Sequence, residues 1–314
     1  MTNFLLLSDI HLSDRPPANC TESYTDDLFE LLEHSVKLAE EHNAVTVWAG
    51  DIFHIKGSAR NSHGLVQRTI DIVKAYPKEL FIVPGNHDLA NDRLESISTQ
   101  PLGTLFKAGA KMLKGWHKEG EPIYGVPWLQ RFNDVTVSNA LEKYAKHSWS
   151  DSRHLVITHA PLYPPGKELP YEYFSTKQWA YHMDNQGSVF YGHVHDPHGV
   201  YEVDGVTFCN NGSLSRGALT ESHISRDVVA TLWSSINGQF STLPLPYKPA
   251  EQVFKLEEAV ALKQRKVRLD DFLDSIGYNS IEMTSIDAVI AHIKTLNLEP
   301  ELEQTISNLL EDVT

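Results

Sequence analysis

Acidic, amide and imidazole side chains occur in five short groups along this sequence, and each group directly follows an apolar run. The groups are Asp9-Ile10-His11, Gly50-Asp51, Gly85-Asn86-His87-Asp88, His159 and Gly192-His193-Val194-His195. Carboxylate, amide and imidazole ligands in combination suit manganese, iron or zinc better than calcium, which prefers oxygen ligands. The groups therefore predict a site for transition metals.

The spacing within the groups indicates how their side chains converge. Asp9 and His11 are two residues apart, and so are His193 and His195, a spacing that places both side chains on one face of extended backbone. Glycines precede Asp51 and two other groups, where they permit turns and close approach. Each group alone is common in turns. Because all five follow apolar runs, we interpret them as one shared site.

The apolar runs are interpreted as the strands that position these groups. They are residues 3–8, 44–48, 80–83, 155–158, 189–191, 206–209 and 228–233. Helical spacing predicts one helix that begins near Thr25 and another across residues 65–73. Alternating strands and helices predict a parallel sheet covered by helices, with ligands at the carboxyl ends of its strands. The later runs, from residue 155 onward, predict a second sheet that faces the first.

As a set, the five groups resemble the motifs of the calcineurin-like metallophosphoesterases, and the resemblance covers roughly residues 5–215. It implies an α/β fold, a four-layer sandwich of two facing mixed sheets flanked by helices. It also implies two divalent metal ions as cofactors, with manganese expected and magnesium, iron or zinc as alternatives. The implied ligands are Asp9, His11 and His195 for the first metal, Asn86, His159 and His193 for the second, and Asp51 as the bridge.

The resemblance also implies the reaction. His87 would lie over the scissile phosphate without binding metal, and Asp88 would hold the His87 ring in orientation. A water activated by the two cations would attack phosphorus in line, while His87 stabilises or protonates the leaving oxygen. The expected activity is that of a two-metal phosphodiesterase.

Finer features resemble the SbcD-type DNA repair nucleases. The segment Gly50-Asp51-Ile52-Phe53-His54 is similar to the Gly-Asp-Leu-Phe-His of that group, which implies a catalytic role for His54. A segment that contains Ser213 and Arg216 resembles the Pro-Gly-Ser stretch of these nucleases, so both residues are candidates to bind the phosphate backbone. We therefore expect a DNA exonuclease or endonuclease of repair, recombination or replication. The alternative is a phosphodiesterase of small molecules such as cyclic nucleotides.

Length and composition set limits on these expectations. A chain of 314 residues has room for one large domain and a smaller appendage. We place the nuclease domain at residues 1–245 and a helical appendage, for capping or partner binding, at 246–314, with a proline-rich linker at 243–249 across the boundary. The formal charge of −14 argues against a generally basic nucleic-acid-binding surface. Two cysteines exclude a zinc site built from cysteine, and the lack of a long apolar stretch predicts a cytoplasmic protein without a membrane span.

The expected partners also come from the resemblance. They are DNA, an SbcC-like ATPase and a second copy of the chain. The helices around residues 62–75 and 92–109 are the candidate dimer contact, and the basic stretch at 263–268 is a candidate DNA contact.

Overall fold

The computed structural model describes residues 2–57, 61–117, 122–146, 153–166 and 173–256. The chain up to Lys255 forms one compact unit. The helical appendage predicted for 246–314 lies outside the described residues from position 257 onward, together with the basic stretch at 263–268. The division into two domains stays a prediction.

Two six-stranded sheets and a small two-stranded sheet contain all the strands of the described residues. The strands are β1 (Asn3–Leu7), β2 (Ala44–Ala49), β3 (Leu80–Val83), β4 (Lys111–Met112), β5 (Gly115–Trp116), β6 (Ile123–Val126), β7 (Leu155–His159), β8 (Leu162–Tyr163), β9 (Phe174–Ser175), β10 (Ser188–Gly192), β11 (Gly199–Val203), β12 (Val206–Asn210), β13 (Val229–Ser234) and β14 (Gln239–Pro244). The α-helices are α1 (Tyr24–Glu41), α2 (His63–Ala75), α3 (Pro101–Ala108), α4 (Asp134–Ala145), α5 (Thr176–His182), α6 (Glu221–Ser225) and α7 (Ala250–Val253). Two 3₁₀ segments, Ala90–Asp92 and Leu94–Thr99, precede α3.

The first sheet has the order β14-β13-β1-β2-β3-β4. Strands β1 to β4 are parallel, whereas β13 and β14 are antiparallel additions at the β1 side. Helix α1 connects β1 to β2 and packs on β2, and helix α2 connects β2 to β3. The Tyr76 hydroxyl ties this layer together, because it bonds to Ser35 Oγ of α1 at 2.6 Å and accepts from Trp48 Nε1 of β2 at 3.3 Å.

The second sheet has the order β11-β12-β10-β7-β6-β5. Its four inner strands are parallel and its two edge strands are antiparallel. Helices α4 and α5 cover its outer face, where Leu141 and Trp179 are fully buried. A second apolar core lies between the two sheets, with Val47 and Phe81 from one side and Ile157 and Phe190 from the other. This architecture confirms the predicted sandwich of two facing mixed sheets flanked by helices.

The run at 228–233 is a strand, as predicted, but it belongs to the first sheet and not to the second. Strand β13 pairs antiparallel with β1, and Asn3 lies opposite Ser234. The rings of Phe4 and Trp233 contact each other at 5.8 Å between centroids. An apolar run predicts a strand, but its partner depends on contacts between residues more than 200 positions apart.

The segment predicted as a linker packs on the main unit. Leu243 and Pro244 still belong to β14, and Leu245 is buried. Phe254 is buried and forms an isolated bridge with Cys20. In the part of the chain that the structure describes, no helix is long and apolar enough to cross a membrane.

Candidate metal centre

The carboxyl ends of five strands meet where the two sheets face each other. Strands β1, β2 and β3 of the first sheet lead into the loops that carry Asp9, Asp51 and Asn86. From the second sheet, His159 is the last residue of β7, and His193 directly follows β10. The chain thus places donors from both sheets around one space.

The backbone of these loops is left-handed rather than extended. The φ angles are 53° at Asp9, 52° at His11, 54° at Asp51 and 86° at His193. Such angles cost free energy for residues other than glycine, and they concentrate at functional sites. The expectation that a spacing of two residues acts through extended backbone is therefore wrong. Asp9 and His11 still reach one group, but His193 and His195 point into different groups.

Three glycines allow the loops to approach each other. A Cβ atom on Gly50 would lie 2.3 Å from His159 Nδ1, and one on Gly85 would lie 2.3 Å from Asp51 Oδ1. A Cβ atom on Gly192 would lie 2.5 Å from the carbonyl oxygen of Ala49. These contacts are closer than real Cβ atoms make, so the centre has no room for a methyl group at these positions.

The first group of donors consists of Asp9, His11 and His195. Nε2 of His195 lies 3.6 Å from Asp9 Oδ1 and 3.1 Å from Nε2 of His11. Asp9 is completely buried, and its carboxylate also accepts the backbone N–H of His193 at 3.0 and 3.1 Å. The backbone N–H of His193 therefore holds the Asp9 carboxylate in a fixed orientation.

The second group consists of Asp51, His159 and His193, with Asn86 beside them. Asn86 Oδ1 lies 3.1 Å from His159 Nε2 and 3.1 Å from His193 Nδ1. Asp51 Oδ2 lies 3.3 Å from His159 Nε2 and 3.7 Å from His11 Nε2. Asp51 is thus between the two groups, the position that the resemblance implies for a bridging ligand.

Burial controls the protonation of the imidazoles. It lowers the pKa of His11 well below the usual value, and it lowers the pKa of His193 to about 3 with help from the nearby His159. Burial also disfavours the charged form of His159, but the Asp51 and Asp9 carboxylates outweigh it and raise the pKa of His159 to about 9. His159 Nδ1 lies 2.8 Å from the carbonyl oxygen of Ala49, so Nε2 faces the centre.

The donor set fits divalent cations. In each group, the ligand atoms lie within 4.8 Å of one another, close enough to surround one ion. Neutral imidazoles ligate metals through the nitrogen that carries no proton. Burial raises the pKa of Asp9, and the charged forms of the buried Asp9 and Asp51 need compensation in an apolar interior. Two cations between these groups would supply that compensation.

His87 and His54 lie on the exposed side of the centre. The His11 ring is 4.9 Å from the His87 ring and 5.4 Å from the His54 ring, and the latter two are stacked at 5.8 Å. His87 Nδ1 lies 2.5 Å from the carbonyl oxygen of His54. Because a carbonyl oxygen only accepts, Nδ1 carries a proton, and Nε2 is the atom that can exchange one with a substrate.

Asp88 does not hold the His87 ring, contrary to the role that the resemblance implied. Its carboxylate accepts backbone N–H groups from Gly85 at 2.9 Å, Asp51 at 2.9 Å and Ile52 at 3.0 Å. It therefore joins the loops after β2 and β3. The main chain at His54 orients the His87 ring instead.

Ser213 and Arg216, the predicted substrate contacts, are buried and bonded to the protein itself. Ser213 Oγ donates to the carbonyl of Ser215 at 2.5 Å and accepts from the Arg226 guanidinium at 3.0 Å. Arg216 donates to the carbonyl of Lys248. The prediction that the two residues bind substrate gains no support from these positions.

The segment that contains Ser213 supports the metal centre through hydrogen bonds to the backbone of Asp9. Ser215 donates to the carbonyl oxygen of Asp9 through its N–H at 3.3 Å and its hydroxyl at 3.1 Å. Arg226 holds this segment through the carbonyls of Ser213 and Ser215 at 2.6 and 2.8 Å. Arg226 is in no motif, so sequence reasoning had no reason to select it.

Trp128 is a residue of the site that sequence reasoning missed. Its ring is 4.7 Å from the His193 ring and 6.0 Å from the His159 ring. It also lines a cavity of about 610 Å³. Trp128 lies just after the buried strand β6, as the candidate ligands lie just after their own strands. That position in the sequence was the signal from which Trp128 could have been predicted.

A second cavity, of about 310 Å³, opens directly on the candidate ligands. His193 and His195 line it together with Tyr163 and His223. Burial and the neighbouring Arg226 lower the pKa of His223 to about 4, so this side chain is neutral at physiological pH. The smaller cavity thus adjoins the candidate ligands directly, whereas the larger one adjoins Trp128, whose ring contacts His193.

The sequence matches the family model described as calcineurin-like phosphoesterase over residues 2–197. No curated protein sequence matches the chain. Among solved structures, the chain is similar to a cold-active protein tyrosine phosphatase at 11% identity, with 81% of this chain and 80% of that chain covered and a TM-score of 0.38. It is also similar to the cold-active protein-tyrosine phosphatase of a psychrophile, Shewanella sp., at 13% identity, with 77% and 80% covered and a TM-score of 0.35. These scores are too low to carry an inference about the activity of this chain.

Proposed function

The chain belongs to the calcineurin-like phosphoesterase family, and from that premise we propose that it is a two-metal phosphodiesterase that cleaves DNA. The family and the clusters of histidine and aspartate make it a metal-dependent phosphoesterase. DNA as the substrate, the SbcD-type assignment and manganese as the metal are the proposal.

One observation supports the choice of an extended substrate: one cavity opens on candidate metal ligands, and a larger one lies beside Trp128, whose ring contacts one of those ligands. The contacted ligand is His193, which lines the smaller cavity together with His195. A phosphodiester held at the metals would have space in the smaller cavity, and a longer substrate that passes Trp128 would have further space in the larger one. The His54 ring, in the segment that resembles SbcD-type nucleases, is stacked beside His87, which supports the catalytic role that the resemblance implies for His54.

The residues of the chain have separate tasks in this reaction. When bound, the two cations supply a nucleophilic hydroxide near neutral pH and offset charge on the phosphate. His87 holds its Nε2 toward the open side, where it can give a proton to the leaving oxygen. The backbone N–H of His87 donates to Asp51 Oδ1 at 2.8 Å, which couples the position of the acid to the bridging carboxylate. Asp88 keeps the two loops together.

The overall charge favours a second candidate, a phosphodiesterase of cyclic nucleotides or other small esters. At −14, the protein repels long polyanions unless the bound metals attract them locally. A small substrate would need only one of the two cavities.

Digestion of end-labelled linear DNA with manganese distinguishes these candidates. Bis-para-nitrophenyl phosphate and a cyclic nucleotide are assayed alongside, with wild type and His87→Ala. The proposal expects shortened DNA with wild type and none with the variant. Cleavage of the small esters alone would contradict DNA as the substrate while leaving the phosphodiesterase in place.

Two partner predictions accompany the proposal: a homodimer, and an ATPase similar to SbcC. Light scattering at several protein concentrations measures the first. A monomer at all concentrations would contradict it. Co-purification with an SbcC-like ATPase, followed by assay of ATP-dependent cleavage, tests the second.

A further inference from the structure

We propose that the cavity beside Trp128 binds a nucleobase of the substrate, stacked on the indole ring, while the phosphate lies at the metals. The inference rests on the proposed phosphodiesterase and specifies what its substrate must carry. It concerns residues that lie outside the metal-binding motifs.

Position is the first argument. The Trp128 ring contacts the rings of His193 and His159, two candidate ligands of one metal, at 4.7 and 6.0 Å between centroids. The same side chain forms part of the cavity wall. Trp128 therefore lies between these ligands and the cavity, where a group bonded to a phosphate at this metal can contact the indole.

Trp128 is held in place by contacts of its backbone and of its ring. Its backbone N–H donates to the carbonyl oxygen of Pro84 at 2.9 Å, which anchors it to the end of β3. The Phe132 ring packs on it at 5.0 Å. A ring fixed in this way loses little conformational entropy when a flat ligand stacks on it.

The wall of the cavity has the composition that a base needs. Pro127 and Leu129 flank the tryptophan, and Leu94 lies in the 3₁₀ segment that forms another part of the wall. The volume of about 610 Å³ is within the range of small-molecule sites and exceeds the need of one nucleotide. The part of the wall formed by Trp128 and its apolar neighbours favours a planar aromatic group over a bare sugar phosphate.

The cavity carries charged side chains of both signs. Arg93 and Lys114 are exposed side chains of its wall, available to phosphate oxygens or to the edge of the base. Two acidic side chains also line the wall: Asp92 is paired with Lys56 at 3.2 Å, and Glu95 is exposed.

Product inhibition tests the inference without requiring DNA cleavage. The inhibition constants of thymidine 5′-monophosphate and of 2-deoxyribose 5-phosphate are measured against hydrolysis of bis-para-nitrophenyl phosphate with manganese. Both ligands place a phosphate at the metals, but only the first has a base. We expect the nucleotide to bind the wild type about 5- to 150-fold more tightly, the range of one base stacked on one aromatic ring.

Three variants assign that preference to the ring. Trp128→Ala is expected to bind the two ligands about equally, while Trp128→Phe retains part of the preference. Tyr181→Ala, which removes an aromatic side chain that is 72% exposed on α5, is the matched control and keeps the full preference. A ratio of two inhibition constants cancels any change in metal occupancy that the Trp128 variants cause through His193.

The outcomes separate this inference from the proposed function. A preference for the nucleotide that survives in Trp128→Ala, or no preference in the wild type, overturns the base site even if DNA is cleaved. A preference that depends on Trp128 supports the site even if DNA is left intact, in which case DNA as the substrate is wrong.

Discussion

The His87 ring is oriented by the main chain: its Nδ1 bonds to the carbonyl of His54 and its backbone N–H bonds to Asp51. A general acid of this kind contributes about 10²- to 10⁴-fold to a rate. It contributes less when the leaving group needs no proton, as with nitrophenolate. The role of His87 therefore depends on the substrate.

From this we predict that His87→Gln lowers cleavage of a dinucleotide by about 10²- to 10⁴-fold. Hydrolysis of bis-para-nitrophenyl phosphate should fall much less, and the bound metal should be unchanged. The measurements are kcat on both substrates and metal content, with the exposed His63→Gln as the control. Equal losses on both substrates would contradict an acid role.

The buried Asp88 accepts three backbone N–H groups from two loops. Asp88→Asn replaces one acceptor oxygen with a donor, so at least one buried N–H loses its partner. We expect the free energy of unfolding of the metal-free protein to fall by about 1–3 kcal/mol, as measured by urea denaturation. Unchanged stability would show that the loops are held without Asp88.

Both cysteines are buried, and burial raises the pKa of Cys20 to about 11 and that of Cys209 to about 12. Because the folded pKa is raised, the reactive thiolate is scarce at pH 8 in the folded state and increases when the protein unfolds. We expect neither thiol to react with iodoacetamide at pH 8 until urea unfolds the chain. Rapid labelling of the native protein would contradict this environment.

At the scale of elements, short loops after parallel strands position the centre, and their left-handed residues sit against glycines. Gly85→Ala would place a methyl carbon 2.3 Å from Asp51 Oδ1 and 2.5 Å from Asp51 N. We expect it to lower stability by about 1–3 kcal/mol and to weaken manganese binding, as measured by calorimetry.

Gly64→Ala is the matched control for that variant. It lies in helix α2, and its Cβ would meet only Ser62 Oγ, at 3.6 Å. Alanine is about 1 kcal/mol more favourable than glycine in a helix, so this variant should be neutral or slightly more stable. Equal effects of the two substitutions would mean that loop crowding at Gly85 does not matter.

Seven of the fourteen strands of the described residues were predicted, because apolar runs of three to six residues carry the information locally. The sheet to which β13 belongs was not predictable from local sequence. It depends on the pairing of β13 with β1, which lie near opposite ends of the main unit. The groups of acidic and histidine side chains could also be found, because each follows a run. The left-handed backbone at Asp9 and His11 and the contact of Trp128 with His193 arise from loop packing, which spacing does not encode.

At the scale of the whole molecule, the net charge of −14 opposes the binding of negatively charged phosphates. Two divalent cations would be the largest local positive charges and would set the electrostatics of the cleft. The wall of the larger cavity adds no excess of positive charge, because Arg93 and Lys114 are matched there by Asp92 and Glu95. Phosphate binding should therefore depend on the metals far more than on the protein surface.

Titration of the metal-free protein with manganese tests this central claim most directly, with bound metal and hydrolysis of bis-para-nitrophenyl phosphate measured on the same samples. We expect two manganese ions per chain, with activity that follows occupancy of the second ion. Full activity without manganese, or with a single ion per chain, would contradict a two-metal centre built from these residues.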